Sequence, residues 1–327
     1  MNNRTELARQ KAWSAYWAAG ALHSCADSFV GNYSGVIAEF WKPRFKSLMP
    51  QSTVLDLATG NGALPLLLWE CRQGLDDVHV DAVDLAQVSP NWHQPDLHRN
   101  IAFHSGVAME QLPFADATFD LVVSQFGLEY AQWPAALHEI HRVSRPHGSA
   151  AFVMHHPQSI IVQVGREELK NLEFLLRPDG LLDAARRVMP WMAHASAGRQ
   201  ARLHDPEAAA GKQAYNLAAS LISQQIEVSP VPDLLLEVRA SVHSLLTGIT
   251  AAGCDTQMEQ LETLGHALRA AALRAAELVG HAVDRQRLDS LVELFQAARP
   301  THRIVCEPIS QEEGILGWSV LLQPQAS

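Results

Sequence analysis

Between residues 53 and 156 short apolar runs rich in valine, leucine and phenylalanine alternate with stretches of helical spacing. That is the pattern of βαβ units on a parallel sheet, whose buried strands read as near-continuous apolar runs. It predicts strands over 53–57, 78–84, 101–104, 119–124 and 150–155, with helices over 62–72, 87–98 and 134–143. Pro65 and Pro134 fall in first helical turns, where the missing amide proton costs nothing. Ahead of the sheet, Ile37, Phe40, Trp41, Phe45 and Leu48 follow a helical repeat that Pro43 is expected to end or kink. An earlier helical piece carries Trp13, Tyr16 and Trp17.

Beyond residue 158 the rhythm changes. Helical windows run over 159–177, 181–192, 206–225, 233–246, 257–279 and 286–298, punctuated by Gly180, Gly248, Gly253 and Gly280. Strand signal returns at 302–307 and 318–322, joined by the polar turn Gln311-Glu-Glu-Gly. The expected organisation is a helical cap at 1–50, a sheet core at 51–157, a helical insertion at 158–299, and a strand pair at 300–327 that completes the sheet. The fold class is α/β, with a doubly wound, mostly parallel sheet.

Composition supports this division. A chain of 327 residues, 47% hydrophobic and 18% charged, can bury the cores of about two domains. A net charge of −10 argues against nucleic acid and anionic membranes as partners. The cysteines, Cys25, Cys71, Cys254 and Cys306, lie far apart without zinc-ligand spacing, which fits free thiols and no metal site. The N-terminus lacks an apolar signal-peptide core, and no run approaches the roughly 18 apolar residues of a membrane span. A cytoplasmic location is the expectation.

The chemistry concentrates at the strand ends. In Thr53-Val-Leu-Asp-Leu-Ala-Thr-Gly-Asn-Gly an apolar strand runs through Asp56 into a glycine turn and directly into a helix. Gly60 and Gly62 permit positive φ and close backbone approach, and amides at the helix start can hold an anionic group. Ligands of doubly wound sheets bind at this edge. Pro65 occupies the third-glycine position of a dinucleotide fingerprint, which argues against a nicotinamide site. The second strand ends at Asp84, placed to accept the hydroxyls of a ribose, with Leu85 beside it for one face of a purine.

Together with Leu112-Pro-Phe-Ala-Asp-Ala-Thr-Phe-Asp-Leu-Val-Val-Ser and Ala136-Leu-His-Glu-Ile-His-Arg-Val-Ser-Arg-Pro-His-Gly, these pieces make residues 50–156 resemble the class I S-adenosylmethionine-dependent methyltransferases. The resemblance implies a seven-stranded Rossmann-like sheet and S-adenosylmethionine as cofactor. It places Asp56, Ala58, Gly60 and Gly62 on the methionine part and Asp84 on the ribose. Leu85, Ala108 and Met109 fall on the adenine, and Gln125 at the end of the fourth strand joins the cofactor set. Ala58 stands where the family often has glycine. Ala108 stands where many members have an aspartate for the adenine amino group.

Methyl transfer needs alignment and exclusion of water, and a base only when the nucleophile keeps its proton. Phe126 and Tyr130, after the fourth strand, and Tyr33, from the pre-sheet segment, are candidates for an apolar substrate wall. His23 and Asn32 are further polar groups there. His155 and His156 at the end of the fifth strand are the candidate bases, and period-two alternation lets at most one face the pocket. The insertion is expected to act as a substrate lid. Its face of Leu261, Leu264, Leu268, Ala271, Ala275 and Leu278 packs into the lid or forms a homodimer. The reading is a methyltransferase acting on oxygen or nitrogen of a small metabolite. Its alternatives are a non-catalytic relative that keeps the fold as scaffold or regulator, and, less favoured, an NAD(P)-dependent oxidoreductase.

Overall fold

The computed structural model describes residues 3–24, 31–73, 77–198, 205–250 and 252–325. Cys25 and its neighbours in the pre-sheet segment lie outside these. The chain divides into two compact units, residues 1–163 with 277–327, and residues 164–276.

The first unit is built on a seven-stranded sheet among the described residues. Its strands are β1 (Ser52–Leu57), β2 (Val78–Asp84), β3 (Ile101–Ser105), β4 (Phe119–Gln125), β5 (Ser144–Met154), β6 (His302–Gln311) and β7 (Gly314–Pro324). The order is β3-β2-β1-β4-β5-β7-β6, and every neighbouring pair is parallel except those made by β7. β1 pairs with β2 on one side and β4 on the other, so the chain reverses its winding direction beside β1. That leaves a crevice beyond the carboxyl ends of these strands.

Period-two alternation sorts the core into two layers. Val54, Val80, Val123 and Val153 face α2 (Gly35–Lys46) and α3 (Ala63–Cys71), meeting Trp41, Phe45, Leu67 and Leu68. Leu55, Val122, Phe152 and Val320 face α4 (Trp133–Val143) and α10 (Arg285–Ala298). The second layer contains Leu288, Leu291 and Phe295 of α10. Residues 277–299, read from sequence as part of the insertion, therefore belong to the sheet-bearing unit. α1 (Asn3–Ala18) precedes α2.

Two local expectations need correction, over 87–98 and at the start of β5. No helix forms over 87–98, which runs as turns. Pro90 and Pro95 remove amide donors and push the residues before them out of helical geometry. α2 continues through Pro43 to Lys46, and the Pro43 carbonyl accepts the Ser47 amide at 3.0 Å. β5 starts at Ser144 rather than residue 150, entering through a register irregularity between Phe119 and Leu121 of its partner. The closing hairpin turns tightly, with Gln311 paired to Gly314.

The second unit is helical. It holds most of α5 (Ile160–Leu176) and α9 (Cys254–His281), with α6 (Leu181–Ser196), α7 (Pro206–Val228) and α8 (Asp233–Thr247) between them. Asp205 caps α7, its carboxylate accepting the Glu207 amide at 2.9 Å. Leu172, Met189, Ile222, Leu235, Val242 and Leu268 lie at the centre of a separate core. Leu261, Leu268 and Ala275 of α9 are buried in that core, with Leu264 and Ala271 packed against it. Among the described residues no helix is long and apolar enough to cross a membrane.

Candidate functional site

Three polar side chains stand in a row where β2, β1 and β4 end. Ala82, Asp56 and Val123 are register partners across these strands. Asp84 and Gln125 follow two residues later on their own strands, so all three polar groups share the α2/α3 face. Each is buried, with Asp56 at 2%, Asp84 at 8% and Gln125 at 8% exposure.

Their partners differ. The Asp84 carboxylate accepts the Gly60 amide at 2.8 Å and the Ala86 amide at 2.8 Å, tying the β1–α3 turn to the end of β2. Burial pushes its pKa up to about 6, against the pull of those two amides. Asp56 Oδ2 has no hydrogen-bond partner. Burial, with the Asp84 charge adding to it, raises the Asp56 carboxyl to about 8. Gln125 Oε1 accepts the Trp41 indole N–H at 2.6 Å. That bond fixes the amide orientation and leaves Nε2 buried and without a hydrogen-bond partner.

Above the row lies a cavity of about 420 Å³, within the usual range of small-molecule sites. Asp56, Asp84 and Gln125 line it, with Ala58, Leu85, Ala108 and Met109 on the β1–β3 side and Phe126 and Tyr130 on the β4 side. Tyr33, His23, Trp13 and Trp17 contribute from the segment before the sheet. His23 stacks on Tyr33 with centroids 4.6 Å apart, and burial lowers its pKa. Asn32 is committed elsewhere, donating to the Ala63 carbonyl at 3.0 Å and accepting the Tyr33 amide at 2.7 Å.

The glycines shape the turn rather than the cavity wall. Both have positive φ, +54° at Gly60 and +76° at Gly62. Neither lines the cavity. A Cβ on Gly60 would lie 2.6 Å from the Trp17 ring, and one on Gly62 would lie 2.6 Å from Phe103 and 3.0 Å from Trp92. The space next to each is filled by aromatic rings from distant sequence. The turn amides are also engaged: Thr59 N–H reaches Val83 O, Gly60 N–H reaches Asp84, and Gly62 N–H reaches Thr59 O. These three are thus not bare donors awaiting an anion. Ala58 carries a positive φ of 52° despite its Cβ.

His155 and His156 do point apart, and neither lines the cavity. His155 Nδ1 lies 2.6 Å from Glu129 Oε1, and its ring stacks on Phe126 with centroids 4.2 Å apart. His156 turns to the other layer, against Trp318 at 4.7 Å, and its Nδ1 accepts the Gln158 amide at 2.9 Å. Burial lowers the His156 pKa.

Several residues escaped the sequence reading. Asn61 Nδ2 donates to Trp17 O at 2.9 Å and Ala21 O at 2.7 Å, which holds the end of α1 on the glycine turn. Gln10 Nε2 donates to Leu85 O at 3.0 Å. Trp41 orients Gln125, and Glu129 holds His155. Only the polarity of Glu129 within an otherwise apolar stretch, and of Asn61 between the two turn glycines, offered a signal. Among the described residues no group of three or more His, Cys, Asp or Glu is placed to hold a metal ion.

A parallel sheet with one reversed strand and two carboxyls at its switch-point crevice is the Rossmann-like methyltransferase type of α/β fold. Residues 54–148 match the family model described as a methyltransferase domain. It is similar to the ubiquinone/menaquinone biosynthesis C-methyltransferase UbiE of Rubrivivax gelatinosus, 35% identical over 116 residues, 34% of this chain and 44% of that protein. The chain thus spans less than half the length of this curated relative. Among solved structures it is similar to a SAM dependent methyltransferase from Aquifex aeolicus, with 23% identity and a TM-score of 0.32 over 37% of this chain and 65% of that one. It is also similar to geranyl diphosphate C-methyltransferase from Streptomyces coelicolor A3(2), with 15% identity and a TM-score of 0.33 over 40% and 49% of the two chains.

The residues suit the class cofactor. An orphaned buried carboxyl oxygen on Asp56 calls for a donor, and an orphaned amide on Gln125 calls for an acceptor. An amino-acid zwitterion supplies one of each, while the Asp84 carboxylate can accept from a diol.

Proposed function

We propose that the protein transfers a methyl group from S-adenosylmethionine to oxygen or nitrogen of a small, largely uncharged molecule. The observation that carries this reading is the buried row Asp84, Asp56 and Gln125 beneath an aromatic-lined cavity. In this reading Asp84 accepts the ribose hydroxyls, Asp56 faces the ammonium, and Gln125 Nε2 donates to the carboxylate. Ala58, beside Asp56, adjoins the methionine part, with Gly60 and Gly62 shaping the turn behind it. Leu85, Ala108 and Met109 flank the adenine. Bound cofactor supplies a methyl carbon activated by a positive sulfonium. Tyr33, Phe126 and Tyr130 form the apolar surround for the acceptor, excluding water and favouring a flat, poorly charged partner.

A second reading, transfer to carbon, is favoured by the C-methyltransferase name of the curated relative. The deciding experiment incubates the full chain with methyl-¹³C-labelled cofactor and a panel of phenols, amines and hydroquinones, then reads the product methyl resonance. An oxygen- or nitrogen-bound methyl supports the first reading, and a carbon-bound methyl replaces it with the second. Tight binding of S-adenosylhomocysteine without transfer to any acceptor favours a non-catalytic role.

A further inference from the structure

We infer that Glu129 and His155 are a positioning pair that holds the Phe126 ring as a fixed wall on the β4 side of the cavity. The value of such a wall to the acceptor rests on the methyltransferase reading. Phe126 has a φ of +56°, a left-handed conformation that a bulky side chain adopts only when its surroundings impose it. Three contacts impose it here. Its amide donates to Val153 O at 2.7 Å. On one side its ring lies against His155, with planes 18° apart. On another side Gly317 makes room, since a Cβ there would come within 3.2 Å of Phe126 Cε1.

The His155 ring is itself held. Glu129 Oε1 accepts the His155 backbone amide at 2.8 Å and lies 2.6 Å from Nδ1 of the same residue. The two contacts to one carboxyl oxygen fix the ring's orientation. Both side chains are closed off, with exposures of 0% for Glu129 and 2% for His155. The pair therefore acts through Phe126 rather than on a ligand. The short 3-10 turn that carries Glu129, Leu128–Tyr130, is anchored from outside too. Glu129 O accepts His281 Nδ1 at 3.1 Å, and Tyr130 O accepts Arg9 Nη1 at 3.4 Å.

The test is ¹⁹F NMR of the full chain with 4-fluorophenylalanine at position 126, alongside calorimetry with S-adenosylhomocysteine. The parent protein is expected to give one narrow line. Glu129→Leu removes both bonds to His155, and His155→Asn keeps a donor for Glu129 but removes the stacked ring. Either is expected to broaden or split the line while S-adenosylhomocysteine affinity stays within about threefold. Glu129→Gln still accepts from His155 and is expected to retain the narrow line. His155→Asn decides the matter if Glu129→Leu does not fold. An unchanged narrow line in the folded disruptive variants overturns the inference. If the parent protein fails to bind S-adenosylhomocysteine, the methyltransferase reading falls, and the line shape still judges the pair.

Discussion

At the scale of single residues, the two carboxyls in the crevice have different protonation at neutral pH. Asp84, at about 6, is mostly ionised, whereas Asp56, at about 8, is mostly neutral. An ammonium beside Asp56 prefers the ionised form, so binding at pH 7 should expel a proton. S-adenosylhomocysteine affinity is expected to rise several-fold between about pH 6 and about pH 8 and then level off. Calorimetry in buffers of different ionisation heat measures the proton, and Asp56→Asn should flatten the slope. A flat profile in the parent protein removes Asp56 from the ammonium. The apo protein carries the opposite sign. A carboxyl whose folded pKa is raised contributes stability at low pH and loses it as pH rises through about 8. Asp56→Asn, neutral throughout, should therefore melt higher than the parent above that pH. For Asp84→Ala, two charge-assisted bonds to a ribose amount to about 2–3 kcal/mol, or roughly 30- to 150-fold in S-adenosylhomocysteine affinity. An unchanged affinity removes the ribose assignment. Both aspartates were legible because period two and the strand-end position pointed to them. The glycine roles were not, since Trp17, Trp92 and Phe103, which fill the space beside them, are brought there only by the fold. His155 was legible as a histidine at a strand end, but its partner comes from a loop in another part of the chain.

At the scale of elements, α1 shows how single side-chain bonds seat a helix on the sheet-bearing unit. It is fastened by particular bonds: Asn61 to its last turn, Gln10 to Leu85 O, and Arg9 to Glu277 at 2.5 Å. Asn61→Ala removes two of the bonds that seat this helix over the glycine turn. Losing them should cost about 1–3 kcal/mol locally, quickening amide exchange in α1 by roughly 5- to 150-fold. Exchange in β1 and β4 should stay as it was. Hydrogen-exchange mass spectrometry checks this, and equal protection of α1 in both proteins would assign its seating to the Trp17 contact with Gly60 instead. The strands were readable because a sheet buried on both faces needs continuous apolar runs. The stretch 87–98 does not form the expected helix because Pro90 and Pro95 interrupt it. Apolar spacing also could not show that α10 packs on the sheet, because a helix buried in either core carries the same stripe.

For the whole molecule, the consequence lies in how the cores divide. The two layers around the sheet draw only on residues up to 163 and from 277 onward, and the third core only on residues between them. Among the described residues each buried cluster draws on one unit. The helical unit has roughly 110 residues, well above the size at which a chain needs disulfides or metals to fold alone. Its contacts are mostly between helices close in sequence, the arrangement that folds readily. Residues 160–281, which keep α5 and α9 whole, are therefore expected to fold as an isolated fragment with a cooperative thermal transition followed by circular dichroism. The complementary chain, with that segment replaced by a flexible glycine-serine linker, keeps Asp56, Asp84, Gln125 and the Glu129–His155 pair. It is expected to bind S-adenosylhomocysteine within about tenfold of the parent, having lost Glu277 and His281 as anchors for α1 and the 3-10 turn. A fragment without a cooperative transition, beside a spliced chain that no longer binds, would mean that the cores depend on each other despite sharing no residue.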